Sequence, residues 1–553
     1  MQGSVSLGRS AMVMAVGTAL SRATGLGKLV AAAFALGVAE SRLADTYNIA
    51  NTMPNVIYEL VLGGVLTSVF VPVVVEELRT HDHDEAWEGV SSLVTTALTV
   101  LVAMSVLAIV IAPLVIRLFT LRLSGAQAAE QQHLATYFLR WFAPQIALYG
   151  YAAVAAGLLN AYDRFAVPMF VPILNNLVVI ATFLGFAALA HGSTPTVLSV
   201  DASLAEKLVL AAGTTAGVAV MAVANWPFVR RVPGRLRPLF RFGHPAVRKL
   251  GRLSTWTFAY VVSNQITFAI ALFLANQVQG GPTAYFTAFA FFQLPYGIAT
   301  VSIMTALVPT LSAQYVDGDD AGFRGRTAGG IRAMALLMIP STAAYLVLSR
   351  PLIHTLLQHG VMQAGSSRLV AQVLDMFALG LLPFSAFLLL LRAYYARQDT
   401  KTPLVVNLVS NAAYLVFSLS LFPGFDVRGL ALAHTLCYVV AAGLAAVLLS
   451  RRIGGLEWKE TSAALAKVTG ASAVAAAAML AVLWGVSSVV AGGDGRALLQ
   501  LALGGTAGLV AFVVTARAAR LEDLGLFSRL LPAAVRSRVG LNHRGGGGSP
   551  GLS

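Results

Sequence analysis

Apolar residues fill the chain in long runs separated by short polar stretches, and the spacing matches the roughly 20 residues an α-helix needs to cross a bilayer. About fourteen such runs follow one another, beginning with 11–37, 47–75 and 87–116 and ending with 463–486 and 497–516. Buried in lipid, a backbone must satisfy its own hydrogen bonds, so these runs predict helices. The expected fold is an all-α polytopic membrane protein.

The first six spans (1–228) and the next six (253–451) form equal sets, joined by a basic loop at 229–252. Six is even, so both lobes have one orientation, the arrangement of a parallel pseudo-repeat. LTSVFVP (66–72) in the second span and MTALVP (304–309) in the eighth echo that repeat. Two further helices occupy 452–520, and the tail, 521–553, ends in HRGGGGSPGLS, which cannot bury a core and is expected to be disordered.

Composition agrees with this reading. Of 553 residues 57% are hydrophobic and 11% charged, with a mean hydropathy of +0.75. The first span holds Arg22 and Lys28 and is too long for a signal-peptide core, so it is expected to remain as the first helix. Numbering loops alternately places most of the 38 Lys and Arg on one side, among them Arg230, Arg231, Arg237 and Lys249 of the basic loop. The positive-inside rule then puts both termini in the cytoplasm. The net charge of +14 is explained by topology and anionic headgroups, and nucleic acid is not an expected partner. The single Cys437 excludes an intramolecular disulfide.

Against this background the second span is unusual. In DTYNIANTMPNVIYELVLGG (45–64), Asp45, Asn48, Thr52, Asn55 and Glu59 recur every three or four residues and so share one helical face. Such a stripe is either glue between helices or the lining of a polar cavity. Pro54 and the Gly63-Gly64 pair would let the helix bend beside that path. In the first span, Arg22 and Lys28 are about 120° apart on an ideal helix. Gly25 and Gly27 between them would allow a local unwinding that turns both cations into one space. Two cations in a wet cavity suit an anionic substrate, an Arg fork and a Lys point charge being well matched to phosphate. The plainer reading is that one of them neutralises Glu59.

Other polar residues are weaker candidates. DGDD (317–320) lacks supporting metal ligands and reads as a loop; His434, Asp375 and the Asn264–Gln265 pair fit packing as well as a cation site. No P-loop, Rossmann fingerprint or HExxH motif is present. Neither enzymatic activity nor a cofactor is expected.

SRATGLGKLVAAAFALG (21–37) followed by ADTYNIANTMPNVIYELVLGGVLTSVFVPVVVEE (44–77) resembles the N-terminal signature of the MurJ/MviN lipid II flippase family, within the multidrug/oligosaccharidyl-lipid/polysaccharide exporter superfamily. GLLNAYDRFAVPMFVPILNN (157–176), QLPYGIATVSIMTALVPTLS (293–312), PLIHTLLQHG (351–360) and YARQDTKTP (395–403) resemble family segments in the same order. The resemblance implies a bacterial plasma-membrane flippase that carries a polyprenyl-diphosphate-linked peptidoglycan precursor, lipid II, to the outer leaflet by alternating access. It matches Ser21, Arg22 and Lys28 to the family's first-helix cation pair, Asp45 to an acidic residue at the start of helix two, and Pro54-Asn55 to its Pro-Asn. On this basis Ser21, Arg22, Lys28, Asn55 and Glu59 are expected to bind substrate. Asp45, Gly25, Gly27, Pro54, Gly63 and Gly64 are expected to take part in gating.

Two departures qualify the cargo. Where the family has arginines, this chain has Tyr58, followed by Glu59, and Ala290. Export of another polyprenyl-linked glycan or an amphipathic molecule on the same fold is therefore an alternative, as is a non-transporting scaffold for cell-wall synthesis proteins. Coupling to the membrane potential or to a monovalent cation is left open.

Overall fold

A computed structural model describes residues 2–59, 70–162, 164, 166–234 and 236–521, and among these the chain is helical with no strand. It opens with α1 (Gln2–Leu36) and α2 (Leu43–Tyr58), followed by α3 (Val71–Thr80), α4 (His83–Thr120), α5 (Gly125–Phe142) and α6 (Gln145–Ala161). Next come α7 (Ala166–Leu189), the short α8 (Val197–Ala202) and α9 (Leu204–Val229). After the basic loop follow α10 (Pro245–Ala275), α11 (Gly281–Pro295), a π-helical turn at Tyr296–Thr300, α12 (Val301–Val316) and α13 (Asp320–Leu357). The remainder is α14 (Ala364–Ala378), α15 (Leu381–Ala396), α16 (Lys401–Ile453), α17 (Trp458–Val489) and α18 (Asp494–Ala518).

Ten helices among the described residues are long and apolar enough to cross a membrane, or twelve when two bent pairs are each taken as one span. The predicted second span, 47–75, falls partly outside the described residues. A helix of 53 residues is about 80 Å long, far more than a bilayer's hydrocarbon core, so α16 has the length of two spans. It breaks at Asp426 (φ 51°, ψ −136°), between the apolar runs 403–422 and 429–450. The two helices matched by the pseudo-repeat also leave α-helical geometry in similar places. Pro54 in α2 precedes a π-type residue at Glu59, and Pro295 at the end of α11 precedes the π-helical turn.

The chain divides into two compact units. One contains residues up to Phe289 together with Ile353–Val373 and Asn407–Ala433. Tyr47 of α2 sits in its core, edge-on to Phe138, Phe142 and Phe183, with its hydroxyl 2.8 Å from that of Thr214. A second cluster joins Phe70 and Val74 to Trp87, Leu93 and Leu101 of α4 and to Leu158 of α6. The basic loop is pinned here: the Arg237 and Leu239 N–H groups donate to Ser91 and Thr95 of α4 (3.2 and 3.0 Å), and Arg241 pairs with Glu88. Large apolar side chains outside the core remain exposed, Val110 and Leu114 at 69% each, as expected where the solvent is lipid.

The other unit contains Ala290–Leu352, Leu374–Val406 and the chain from His434 onward. Leu311, Phe323, Phe387, Tyr394 and Leu449 form one of its cores, and the α17–α18 hairpin packs Met479 and Phe512 against Leu348. The QDTKTP stretch has a clear local role, since Asp399 accepts the N–H groups of Lys401 and Thr402 at 3.0 Å and pairs with Arg452, capping α16. Burial alone would raise this carboxyl, but the Thr402 hydroxyl and N–H and the Arg452 guanidinium outweigh burial and hold it at about 2. The cap therefore contributes fully above the ordinary carboxylate range and is lost as pH falls towards 2. Asp399→Ala is expected to destabilise the folded chain by about 1 kcal/mol. A thermal melt in detergent that does not move would remove the assignment.

Candidate functional site

In the first unit α1 lies along α7. The Asn176 side chain donates to the Ser21 carbonyl (3.2 Å) and to the Thr24 hydroxyl (3.1 Å). A Cβ on Gly25 or Gly27 would stand 3.7 Å from Asn176 Nδ2 and 3.4 Å from Ile180 Cδ1, in ordinary contact with α7. The unwinding expected at these glycines is absent, because α1 is continuous α-helix through both. Their place is in helix packing, the small residues letting two backbones approach. Ser21 is likewise held by its backbone against α7.

Arg22 is exposed and Lys28 partly buried. Their side chains, and that of the exposed Glu59, make no ion pair within 4.0 Å among the described residues. Neutralisation of Glu59 by either cation is thus not seen, and neither cation on this membrane helix meets a carboxylate within 4.0 Å among the described residues. Such groups normally face water or a partner.

On α2 the burial pattern separates the two readings of the polar stripe. Leu43, Ala44, Tyr47, Ala50 and Met53 are buried and join the aromatic core, whereas Asn48, Thr52 and Asn55 are only partly buried and Glu59 is exposed. Asn55 donates to its own helix, to the Asn51 carbonyl at 3.0 Å. Glue would bind another helix along the whole stripe; here only its first turns do so. Pro54 is buried inside α2, which stays helical to Tyr58, and Gly63 and Gly64 lie outside the described residues. Tyr58 packs on Tyr149 with ring centroids 5.9 Å apart. Ala290, considered in its own unit, is an exposed residue of α11.

The strongest polar construction lies at the α1–α2 turn. Asp45, fully buried, accepts the Gly280 N–H at 2.7 Å, the Thr283 N–H at 3.2 Å and the Thr283 hydroxyl at 2.8 Å. It therefore caps α11 from 235 residues away, with its charge favoured by the N-terminal end of the helix dipole. Gly280 has φ +78°, and a Cβ there would collide with Ala39, so glycine is required twice over. Arg42 donates to the Asn276 carbonyl (3.0 Å), and the Asn276 side chain donates to the Phe119 carbonyl (3.0 Å) and accepts from Gln131 (3.1 Å). The opposite edge is closed by Glu40, which accepts the Gln363 N–H (2.7 Å), and by Ser366, which accepts the Ala39 N–H (2.9 Å). Residues 37–48 are thus clasped between 276–283 and 361–366. Sequence pattern found Asp45 but not Arg42, Glu40, Asn276 or Thr283; the GGP at 280–282 between two apolar runs was the available signal of a constrained turn.

Asn264, the DGDD stretch and His434 resolve into packing or capping. Asn264 accepts from Asn407 (3.2 Å) and Asn411 (2.9 Å), and Asn411 also donates to Ser263 (2.8 Å), a set of neutral groups. In DGDD, Asp319 caps the Gly322 N–H and Asp320 pairs with Arg397. His434 is enclosed by Phe292, Phe377, Phe384 and Tyr438. No group of three or more His, Cys, Asp or Glu able to hold a metal occurs among the described residues.

Residues 32–502 match the sequence model of a family described as lipid II flippase MurJ. Among curated relatives, the probable lipid II flippase MurJ of Haemophilus influenzae is 27% identical over 479 residues, covering 84% of this chain and 90% of the relative. The lipid II flippase MurJ of Burkholderia cenocepacia is 28% identical over 425 residues, 74% of this chain and 79% of the relative. Among solved structures, a lipid II flippase MurJ in an inward closed conformation superposes with a TM-score of 0.73 at 20% identity, over 92% of this chain and 99% of that one. An inward-facing multidrug resistance MATE family transporter of the MOP superfamily gives 0.62 at 13% identity, over 79% and 96%. At these identities the structural likenesses establish the fold.

Proposed function

The chain belongs to the lipid II flippase MurJ family, and from that premise we propose that it carries lipid II, a polyprenyl-diphosphate-linked peptidoglycan precursor, across the bacterial plasma membrane from the inner to the outer leaflet. The observation that carries this reading is the pair of cations on α1, Arg22 and Lys28, for which no carboxylate stands within 4.0 Å among the described residues, together with a polar stripe on α2 turned away from the apolar core. A diphosphate supplies the missing negative charge, gripped by the Arg fork and the Lys ammonium. Asn55 and the Ser21 hydroxyl add neutral donors. Transport proceeds by alternating access between two lobes. The Asp45 clasp keeps one end closed, and with both termini cytoplasmic by the positive-inside rule that end faces outward. Depleting the chain's own activity from a bacterium that depends on it should accumulate inner-leaflet lipid II, and re-expression should clear it. Unchanged inner-leaflet lipid II on depletion would exclude this cargo.

Tyr58 and Ala290 support a second cargo reading, another polyprenyl-linked glycan on the same fold. Where the resemblance expects arginine, Tyr58 instead packs against Tyr149, so fewer positive charges meet the diphosphate. A vesicle flipping assay that compares lipid II with a polyprenyl-diphosphate glycan lacking the peptide separates the two. The exposed Glu59 acts in this scheme as a proton-sensitive group on the polar stripe of α2: its anionic form opposes a diphosphate and its neutral form admits it. Glu59→Gln is expected to leave transport in place while flattening its pH dependence. A pH profile identical to that of the parent chain would remove Glu59 from the mechanism.

A further inference from the structure

Apart from the cation pair and the Asp45 clasp, the described residues also form a polar groove. A groove of about 370 Å³ opens between α4 and α5, near the lower end of the size range of ligand pockets. Arg117 of α4 and Arg140 of α5 stand at it, with Gln132, Thr136 and Tyr137 of α5 supplying neutral polar groups between them. Both guanidinium groups are on exposed residues, and neither makes an ion pair or side-chain hydrogen bond among the described residues. The nearby carboxylate of Asp201 is already engaged, by His133 at 2.7 Å and Lys207 at 3.2 Å.

Position decides what such a groove is for. Arg140 lies in α5, within a helical run long and apolar enough to span the membrane, and Arg117 in the last turn of α4, at the end of its span. Arginines at the edge of a span are expensive unless they snorkel or find an anion. The surrounding surface is apolar: Val110, Leu114 and Leu118 of α4 and Trp141 of α5 are all exposed. A soluble anion would leave those side chains bare, whereas a phospholipid brings its phosphate with acyl chains that cover them.

We propose that the α4–α5 groove is a binding site for an anionic phospholipid, whose phosphate is held between Arg117 and Arg140 and whose acyl chains lie on the exposed apolar face of α4. The site is separate from Arg22 and Lys28. It abuts the closed end of the first unit, because Gln131, next to Gln132 on α5, is the residue that bonds Asn276.

Binding of labelled phosphatidylglycerol to the full-length chain in detergent tests this, with phosphatidylcholine and inorganic diphosphate as comparators. The double variant Arg117→Gln/Arg140→Gln is expected to weaken phosphatidylglycerol binding at least tenfold, and Arg117→Lys/Arg140→Lys to restore part of it. Ala129→Phe fills the groove while leaving both arginines in place, and is expected to cause a similar loss. Arg237→Gln/Arg248→Gln in the basic loop should change binding less than twofold. Unchanged binding in the double glutamine and Ala129→Phe variants would overturn the proposal. So would an equal loss in the basic-loop variant, or displacement of the lipid by inorganic diphosphate, which would make the groove a small-anion site.

Discussion

Arg22→Ala is expected to abolish rescue of a flippase-depleted bacterium while leaving the protein at normal levels in the membrane. The stability half of this expectation rests on exposure: the Arg22 side chain has no ion-pair partner among the described residues, so its removal strands no buried group. The functional half rests on charge. A charge-assisted hydrogen bond to phosphate contributes about 1.5–3 kcal/mol, or roughly one to two powers of ten in affinity, and a bidentate contact more. Arg22→Lys should recover only part of the activity, since a point charge replaces a fork. Lys28→Ala should weaken transport by a similar route. Full rescue by Arg22→Ala, with inner-leaflet lipid II no higher than in the parent, would remove the cation pair from substrate binding.

The second large effect is expected at Asp45. Asp45→Ala strips the partners from the Gly280 and Thr283 N–H groups and from the Thr283 hydroxyl, all in a buried position. Each stranded buried donor costs about 1–3 kcal/mol in the closed arrangement, and water can satisfy it when the clasp opens. A shift of about 3 kcal/mol moves a two-state equilibrium by roughly two powers of ten. In a Cys437→Ser background, the reporter Ala39→Cys should therefore react with a water-soluble maleimide at least tenfold faster when Asp45→Ala is added. Asp45→Asn, which keeps an acceptor oxygen, should fall between. Equal labelling rates in the parent and the alanine variant would mean that the Asp45 bonds do not hold this end closed.

What could be read along the chain was whatever local periodicity encodes. The apolar runs identified helices, and the recurrence of Asp45, Asn48, Thr52, Asn55 and Glu59 separated a polar face from the face that packs around Tyr47. Residue type was a weaker guide where one residue serves two purposes. Gly25 and Gly27 permit both unwinding and close packing; the contacts with Asn176 and Ile180 select packing. Asn264, His434 and DGDD were equally ambiguous until their neighbours, Asn411, Phe384 and Arg397, were known.

Sequence by itself therefore determined the membrane-helical fold, the polar face of α2 and the presence of charges that lipid does not tolerate alone, because hydropathy and helical phase are properties of neighbouring residues. Only the tertiary structure decided which charges found partners. Asp45 meets Gly280 and Thr283 across some 235 residues, Arg117 and Arg140 are brought to one groove by the antiparallel run of α4 and α5, and Arg22 and Lys28 meet no carboxylate within 4.0 Å among the described residues. The physical reason is that a buried charge is settled by groups within a few ångströms in space, and folding, not sequence order, sets that distance.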